Sequence, residues 1–140
     1  MCGINGLVYK NAENTDVQNI IGKMNRKIIH RRPHEDGFFV EHLKDKTIAF
    51  AMRRLSIVDL STGKQPIFIE DKSKVLVFNG QIYNSEELKK TLLQKGFVFH
   101  IFSPAEVVLK LYECFGLEAF KMLDGVFAFS IYDKIGRAHV

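Results

Sequence analysis

Strand-like and helix-like segments follow one another in a mixed order along this chain, and this order is the feature that most limits its fold. A strand is predicted from Cys2 to Tyr9, an amphipathic helix after Thr15, and strand-like sequence from Phe38 to Ile69. Two more helices and a final strand from Val126 to Tyr132 follow. Because no regular βαβ alternation is present, the sequence predicts a layered α+β domain rather than a doubly wound parallel sheet.

Local signals predict where the helices begin and end. Thr15 to Gln18 have the spacing of a capping box, which predicts a helix start at that point. The second helix is expected to start near Asn84-Ser85 and to stop at Gly96. Ser103-Pro104-Ala105-Glu106 combines capping-box spacing with a proline at the first helical position, so it is predicted to open the third helix.

Composition excludes several classes of protein. The chain has 140 residues, enough for one domain with a proper core, and its net charge of +4 comes from scattered rather than clustered basic residues. We therefore expect no nucleic-acid partner. No apolar run approaches the ~20 residues of a membrane span, and the N-terminus is not that of a signal peptide. Cys2 and Cys114 do not make a disulfide framework, so we expect a cytoplasmic protein.

Cys2 is the first residue that suggests chemistry. If the initiator methionine is removed, a thiol and a free α-amine share one residue. A free α-amine titrates near ~8 and a thiol near ~8.5, so this residue combines a nucleophile with a base suited to neutral pH. The alternative is that Cys2 is a small buried residue at the start of a strand.

Two further positions fit the chemistry of an amide hydrolase, and each has a simpler explanation. Arg54 precedes a strand-like stretch and could bind a carboxylate in bidentate fashion, although it could equally be a surface arginine. Asn79-Gly80 follows the buried run from Val75 to Phe78. A side-chain amide beside a glycine N–H offers two donors for an oxyanion, whereas Asn-Gly is also the commonest hairpin-turn signal.

Taken together, four segments resemble a known family. In this order along the chain they are similar to the class II glutamine amidotransferase domain of asparagine synthetases, and the resemblance covers nearly the whole sequence. The segment that begins with RLSIVD is the most specific of them. The four segments are MCGI at the start, RLSIVDLSTGKQP, NGQIYN and LDGVFAFSIYD.

The resemblance implies a fold and a catalytic apparatus. The fold would be a four-layer αββα sandwich of the N-terminal-nucleophile hydrolase type. Cys2 would attack the side-chain amide of glutamine, with its own α-amine as the proton shuttle. The Asn79 amide and the Gly80 N–H would form the oxyanion hole.

The resemblance also implies a substrate pocket and partners. Arg54 would bind the α-carboxylate of glutamine, and the backbone of Ile57, Val58 and Gln81 would line the pocket. Ammonia would pass to a C-terminal, ATP-dependent synthetase domain that makes asparagine from aspartate. No cofactor is expected in the present domain, because ATP and magnesium would bind in the synthetase domain. A homodimer is left open.

Two positions depart from the family pattern. The family usually has an aspartate at the position of Pro104, where it would pair with the α-ammonium of glutamine, and a glycine at Arg32. Proline brings no carboxylate. Glu106 is not expected to replace it, because a capping box would turn its carboxylate toward the Ser103 N–H. We therefore expect weak glutamine binding.

The two ends of the chain differ in how well they fit the family. Residues 1–134 are predicted to form the amidotransferase domain, incomplete at its C-terminal end. Residues 135–140 are predicted to be a non-native tail, since IGRAHV matches one reading frame of a common sequencing-adapter oligonucleotide. The alternative is a genuine end that echoes a Gly-Arg-Asp segment of the family, displaced by a deletion.

Other functions remain as alternatives. The same fold could serve as a non-catalytic structural or regulatory domain, for which Pro104 and the expected truncated end are the support, or as the glutaminase of an amidotransferase with another ammonia acceptor. No metal site is expected. His30 and His34 have the spacing of ligands on a helix, but Pro33 lies between them and no glutamate follows as in zinc proteases.

Overall fold

The computed structural model describes most of the chain. No helix in it is long and apolar enough to cross a lipid bilayer. The chain divides into two units, Met1–Leu60 and Ser61–Val140, each with its own sheet. The described residues are 2–10, 15–31, 35–54, 64–101 and 103–139.

The sheet of the first unit is antiparallel and has the order β1-β3-β2. Its strands are β1 (Gly3–Lys10), β2 (Glu35–His42) and β3 (Lys46–Arg54). The central strand β3 is buried along nearly its whole length, as expected for a strand with a neighbour on each side.

Helix α1 (Val17–Lys27) packs on one face of this sheet. Its apolar residues Val17 and Ile21 form a cluster with Ala49 and Ala51 of β3, and the two alanines leave room for the helix to approach. The helix starts one residue later than the capping-box spacing suggested. Its N-cap is Asp16, whose carboxylate accepts a hydrogen bond from the Asn19 N–H. A short 3₁₀ helix, Ile29–Arg31, follows α1.

The sheet of the second unit is also antiparallel and has the order β4-β5-β6-β7. Strands β5 and β6 pair over nine residues each and form its centre. The sequence did not predict β7, which lies in the segment expected to be a non-native tail. The strands are β4 (Ile67–Phe68), β5 (Lys74–Ile82), β6 (Gly125–Asp133) and β7 (Arg137–His139).

Two helices cover one face of the second sheet. They are α2 (Ser85–Gln94) and α3 (Pro104–Phe115), and their apolar sides pack on Leu76, Phe78 and Ile131 of the sheet. Gly116 ends α3 with a positive φ of 60°, and a 3₁₀ helix, Gly116–Met122, leads into β6. The α+β prediction is confirmed: the described residues form two antiparallel sheets, each with helices on one face.

Candidate active site

Cys2 lies at the head of the first strand, directly before β1, and is partly buried with a free thiol. The following residue, Gly3, lets the strand approach the end of the helical layer closely. A Cβ atom at Gly3 would lie 2.9 Å from Cδ1 of Ile28 and 3.4 Å from Cβ of Arg31. Packing against Ile28 and Arg31 therefore fixes the backbone that carries the candidate nucleophile.

The two adjacent arginines at the end of β3 have different environments. Arg53 is buried on the α1 side of the sheet, where its Nε donates to the backbone carbonyl of Asn25 over 3.2 Å. Its Nη2 lies 3.8 Å from an oxygen of Asp36. Because side chains alternate along a strand, Arg54 projects from the opposite face. Arg53 thus has a structural role, and Arg54 lies on the other face of the sheet.

Strand register brings Cys2 and Arg54 to the same end of the first sheet. Gly3 of β1 pairs with Arg53 of β3, so Cys2 and Arg54 each lie one residue beyond this pair. A third residue at this end is Glu35, which pairs with Arg54 from β2. A thiol and a guanidinium on neighbouring strands fit a site that attacks a substrate carrying a carboxylate.

Asn79 and Gly80 lie inside a strand, so the hairpin-turn alternative is wrong. Strand β5 continues through both residues to Ile82, and they pair with Ala128 and Phe127 of β6. The long pairing with β6 overrides the local Asn-Gly turn signal. The sequence therefore failed to predict the last part of this strand.

The side chain of Asn79 projects from the face of the sheet that is opposite to the helices. Phe78 belongs to the core beneath α2 and α3, and strand alternation turns Asn79 the other way. Its Oδ1 atom is buried and has no hydrogen-bond partner among the described residues. A buried amide oxygen without a partner costs stability, and a donor group of an incoming ligand could supply that partner.

Gly80 is required by the close approach of β6. Its φ is 138°, in a region that side chains rarely adopt. A Cβ atom there would collide with the carbonyl oxygen of Val126 and would lie 2.5 Å from Cα of Phe127. Glycine is thus needed for strand packing at this position.

The remaining predicted pocket residues are divided between described and undescribed parts of the chain. Gln81 is an exposed residue of β5 and pairs with Val126. Ile57 and Val58 lie outside the described residues, as does Arg32. In the first unit, the site residues that the structure describes are Cys2 and Arg54, which the strand register places at the same end of the sheet.

The candidate residues of the second unit follow one another along a single strand. Asn79, Gly80 and Gln81 occupy the last part of β5, before Ile82 ends the strand. Consecutive strand residues face opposite sides of a sheet, so Asn79 and Gln81 share the face that is turned away from the helices.

Pro104 occupies the first position of α3, as predicted. Ser103 is the N-cap, and its hydroxyl accepts from the Glu106 N–H over 3.2 Å. The expected return bond from Glu106 to Ser103 is wrong. Instead the buried Glu106 carboxylate accepts from the N–H groups of His100 and Ile101, at 2.9 and 2.8 Å. Glu106 is therefore held in the fold and is not free to bind a substrate ammonium.

A small cavity of about 60 Å³ lies beside Pro104, between the starts of α2 and α3. Ser85, Lys89 and Val107 are among its lining residues. No group of three or more histidine, cysteine, aspartate or glutamate side chains lies close enough to hold a metal within the described ranges.

Sequence reasoning missed two amide side chains that form hydrogen bonds with the backbone on either side of the candidate residues of β5 or close to them. Gln65 bonds to the backbone of Phe78, directly before Asn79. Asn84, interpreted only as a helix start, donates to the Met122 carbonyl over 2.9 Å and accepts from the Asp124 N–H over 3.1 Å. Both residues lie in the segments that carry the family resemblance, which was the available signal.

Comparison with solved structures identifies the class of fold. Glutamine phosphoribosylpyrophosphate amidotransferase of Bacillus subtilis superposes with a TM-score of 0.67 over 96% of this chain and 35% of its own, at 19% identity. The allosteric regulatory enzyme of purine biosynthesis gives 0.66 over 96% of this chain and 36% of its own, also at 19% identity. The predicted N-terminal-nucleophile hydrolase fold is thereby confirmed.

Comparison with known sequences identifies the family. The model of the glutamine amidotransferase domain matches residues 1–140. The chain is 41% identical over 136 residues to asparagine synthetase [glutamine-hydrolyzing] 1 of Bacillus subtilis, covering 96% of this chain and 21% of that protein. It is 35% identical over 133 residues to the Arabidopsis thaliana asparagine synthetase 1, covering 95% of this chain and 22% of that protein. The chain belongs to the glutamine amidotransferase domain family and spans about a fifth of the length of these relatives.

Proposed function

We propose that this domain hydrolyses the side-chain amide of glutamine with Cys2 as the nucleophile. The observation that carries the proposal is the position of Cys2 at the head of β1, at the same end of the sheet as Arg54. Membership of the glutamine amidotransferase family supports it, as do relatives that are named glutamine-hydrolysing asparagine synthetases.

The chemistry begins when removal of Met1 frees the α-amine of Cys2. This amine takes the thiol proton, and Sγ attacks the carboxamide carbon of the glutamine side chain. The tetrahedral intermediate collapses by breaking its C–N bond while the amine returns the proton to the leaving nitrogen. Ammonia departs and leaves a thioester on Cys2. Water then attacks the thioester, the α-amine moves its proton to the sulfur, and glutamate is released.

The negative charge that develops on the amide oxygen requires donors. In this proposal Asn79 supplies its side-chain amide and Gly80 its backbone N–H. Oδ1 of Asn79 is buried without a partner among the described residues, so no hydrogen bond to this oxygen fixes the orientation of the amide. Their location inside a paired strand restrains the backbone that carries both donors.

Substrate selection is assigned to Arg54. Its guanidinium, at the end of β3, is proposed to bind the α-carboxylate of glutamine through paired hydrogen bonds. The backbone of Ile57, Val58 and Gln81 is proposed to line the rest of the pocket. Arg53 is not a substitute, because its guanidinium is already bound to Asn25 and lies close to Asp36.

The ammonia is proposed to serve ATP-dependent synthesis of asparagine from aspartate in a C-terminal synthetase domain, with ATP and magnesium bound there. The names of the relatives, which are about five times as long, support this part of the proposal. A reducing cytoplasm would keep the Cys2 thiol free. Sequencing the uninterrupted gene beyond the codon for Tyr132 tests whether a synthetase domain follows. An ATP-binding synthetase domain is expected, and a stop codon would contradict the proposal.

A second candidate function is a non-catalytic domain of the same fold. Pro104 favours it, because a proline stands where the family usually has an aspartate and Glu106 is engaged by the backbone of His100 and Ile101. This alternative predicts an intact fold with no turnover of glutamine.

Ammonia release from glutamine distinguishes the two functions. The chain with Met1 removed, verified by mass spectrometry, is expected to release ammonia and glutamate and to be labelled at Cys2 by an electrophilic glutamine analogue. Cys2→Ala should abolish both. Cys114→Ala is the matched control, since Cys114 packs against the core of the second unit and should leave turnover unchanged. Activity that survives in Cys2→Ala would refute the assignment.

A further inference from the structure

The side-chain amide of Gln65 is hydrogen-bonded to both backbone groups of Phe78. The Phe78 N–H donates to Oε1 over 2.6 Å, and Nε2 donates to the Phe78 carbonyl over 3.0 Å. A residue on a neighbouring strand satisfies its partner with the same pair of bonds, one donated and one accepted. The side chain of Gln65 therefore forms the two hydrogen bonds that the backbone of a residue on a neighbouring strand would form.

Strand register explains why the side chain is needed. Strand β4 pairs Ile67 with Leu76 and Phe68 with Val75. Continued by two residues, this antiparallel register sets Gln65 opposite Phe78. Pro66, which lies between Gln65 and the first residue of β4, has no N–H to donate to the neighbouring strand. The Gln65 amide thus extends the pairing of β5 beyond the point where β4 begins.

The contact acts directly on the peptide unit that precedes Asn79. The carbonyl of Phe78 and the N–H of Asn79 belong to the same planar peptide group, so the bond from Gln65 limits rotation of that plane. On its other edge β5 is held by β6, where Asn79 pairs with Ala128. The side chain of Phe78 is itself fixed in the core. On the edge of β5 opposite to β6, the restraint on the Phe78–Asn79 peptide comes from Gln65.

We propose that Gln65 is a positioning residue for the oxyanion site and acts through the Phe78–Asn79 peptide. The inference rests on the proposed function of Asn79 as an oxyanion donor. A donor contributes only where it points at the developing charge, and a displacement of about 1 Å can reduce turnover by about 10²-fold. Without Gln65 the peptide plane between Phe78 and Asn79 is less restrained, and the Asn79 side chain no longer keeps the orientation that the oxyanion requires.

The first measurement compares Gln65→Met with a matched control. Methionine has nearly the same length as glutamine and can form neither hydrogen bond. The control is Gln94→Met, at the exposed last residue of α2. Gln65→Met is expected to lower kcat for glutamine hydrolysis by about 10- to 100-fold with KM changed by less than about 3-fold. Gln94→Met should match the unsubstituted chain in both constants.

A double-mutant cycle with Asn79→Ala separates positioning from general loss of stability. If Gln65 acts through Asn79, then Gln65→Met should lower kcat much less in the Asn79→Ala background than in the unsubstituted chain. Independent losses that multiply would overturn the proposal, since a purely structural defect reduces turnover in either background.

A second variant covers the case in which Gln65→Met does not fold. Gln65→Glu keeps the length and the acceptor for the Phe78 N–H but turns an oxygen toward the Phe78 carbonyl. It should also lose kcat, and an unchanged kcat would refute the role of Gln65. Failure of the underlying function would look different, because the unsubstituted chain would then release no ammonia and Cys2 would not be labelled.

Discussion

The buried hydroxyl of Tyr112, on α3, donates a hydrogen bond to Oδ2 of Asp133 at the end of β6, over 3.2 Å. The other carboxylate oxygen of Asp133 accepts from the N–H groups of Ile135 and Gly136, at 3.0 and 3.1 Å. The ammonium of Lys74 lies 4.0 Å from Oδ2. One carboxylate thus joins a helix, the start of β5 and the turn into β7.

The hydrogen bond between Tyr112 and Asp133 predicts that the folded protein loses stability at alkaline pH. Burial, the negative charge of Asp133 and the hydrogen bond raise the pKa of Tyr112 to about 12, from an ordinary value of about 10. Because the folded state holds this proton more tightly, the stabilisation is complete below about pH 10 and is lost as pH rises toward 12.

Urea unfolding between pH 8 and pH 11.5 measures this effect. Tyr112→Phe should be less stable than the unsubstituted chain by about 1 kcal/mol at the lower pH, and the difference should shrink as pH rises. Tyr83→Phe is the control, because Tyr83 is largely exposed. A difference between Tyr112→Phe and the unsubstituted chain that stays constant across this range would contradict the prediction.

Asn79→Ala should reduce turnover far more than it alters glutamine binding. Loss of one oxyanion donor typically lowers kcat by about 10²–10³-fold, while KM is expected to change by less than about 3-fold. The variant should fold normally, since Oδ1 of Asn79 has no partner among the described residues. Steady-state kinetics with Asn19→Ala, an exposed position on α1, provide the comparison. A change confined to KM would rule out the oxyanion role.

Gly80→Ala should destabilise the second unit by about 3 kcal/mol or more, since the new methyl group meets the β6 backbone and the φ of 138° disfavours it. Gly22→Ala is the control, and the expected change in stability has the opposite sign. Gly22 lies in α1 with nothing within 4 Å of an added Cβ, so alanine should stabilise the helix by about 0.5–1 kcal/mol. Thermal unfolding compares the two, and a Gly80→Ala chain as stable as the original would show that β5 and β6 can separate.

Pro104→Asp should tighten glutamine binding. A carboxylate at the start of α3 can form a charge-assisted hydrogen bond with the substrate ammonium, worth about 1.5–3 kcal/mol or roughly 10- to 150-fold in affinity. Pro104→Asn isolates the charge, because it removes the proline and adds no carboxylate. KM for glutamine is the measured quantity. Equal KM values for the two variants would mean that another residue already binds the ammonium.

Elements with strong local signals were predictable from the sequence. Ser103 and Pro104 define the start of α3 within four residues, and the structure has the same N-cap and first position. Gly116 ends this helix as the sequence indicates. Local hydrogen bonds and fixed φ angles act over a few residues, so a short sequence window contains the information that determines them.

Signals that depend on distant partners were misinterpreted or missed. Asn79-Gly80 looks like a turn in isolation, but pairing with Ala128 and Phe127, almost fifty residues away, keeps both residues in β5. The Gln65 amide finds its partner 13 residues along the chain, at Phe78.

By itself, the sequence determined the family and the α+β class. It also determined the choice of Cys2 as the candidate nucleophile, because the position of a thiol directly after Met1 is read from the sequence alone. Only the tertiary structure decided that the two adjacent arginines lie on opposite faces of the sheet, since strand alternation directs Arg53 toward Asn25 and Arg54 to the other face. It also decided that Glu106 binds the backbone of His100 and Ile101. A side chain's partner depends on what folding brings to it, and residues far apart in the sequence meet only in the folded chain.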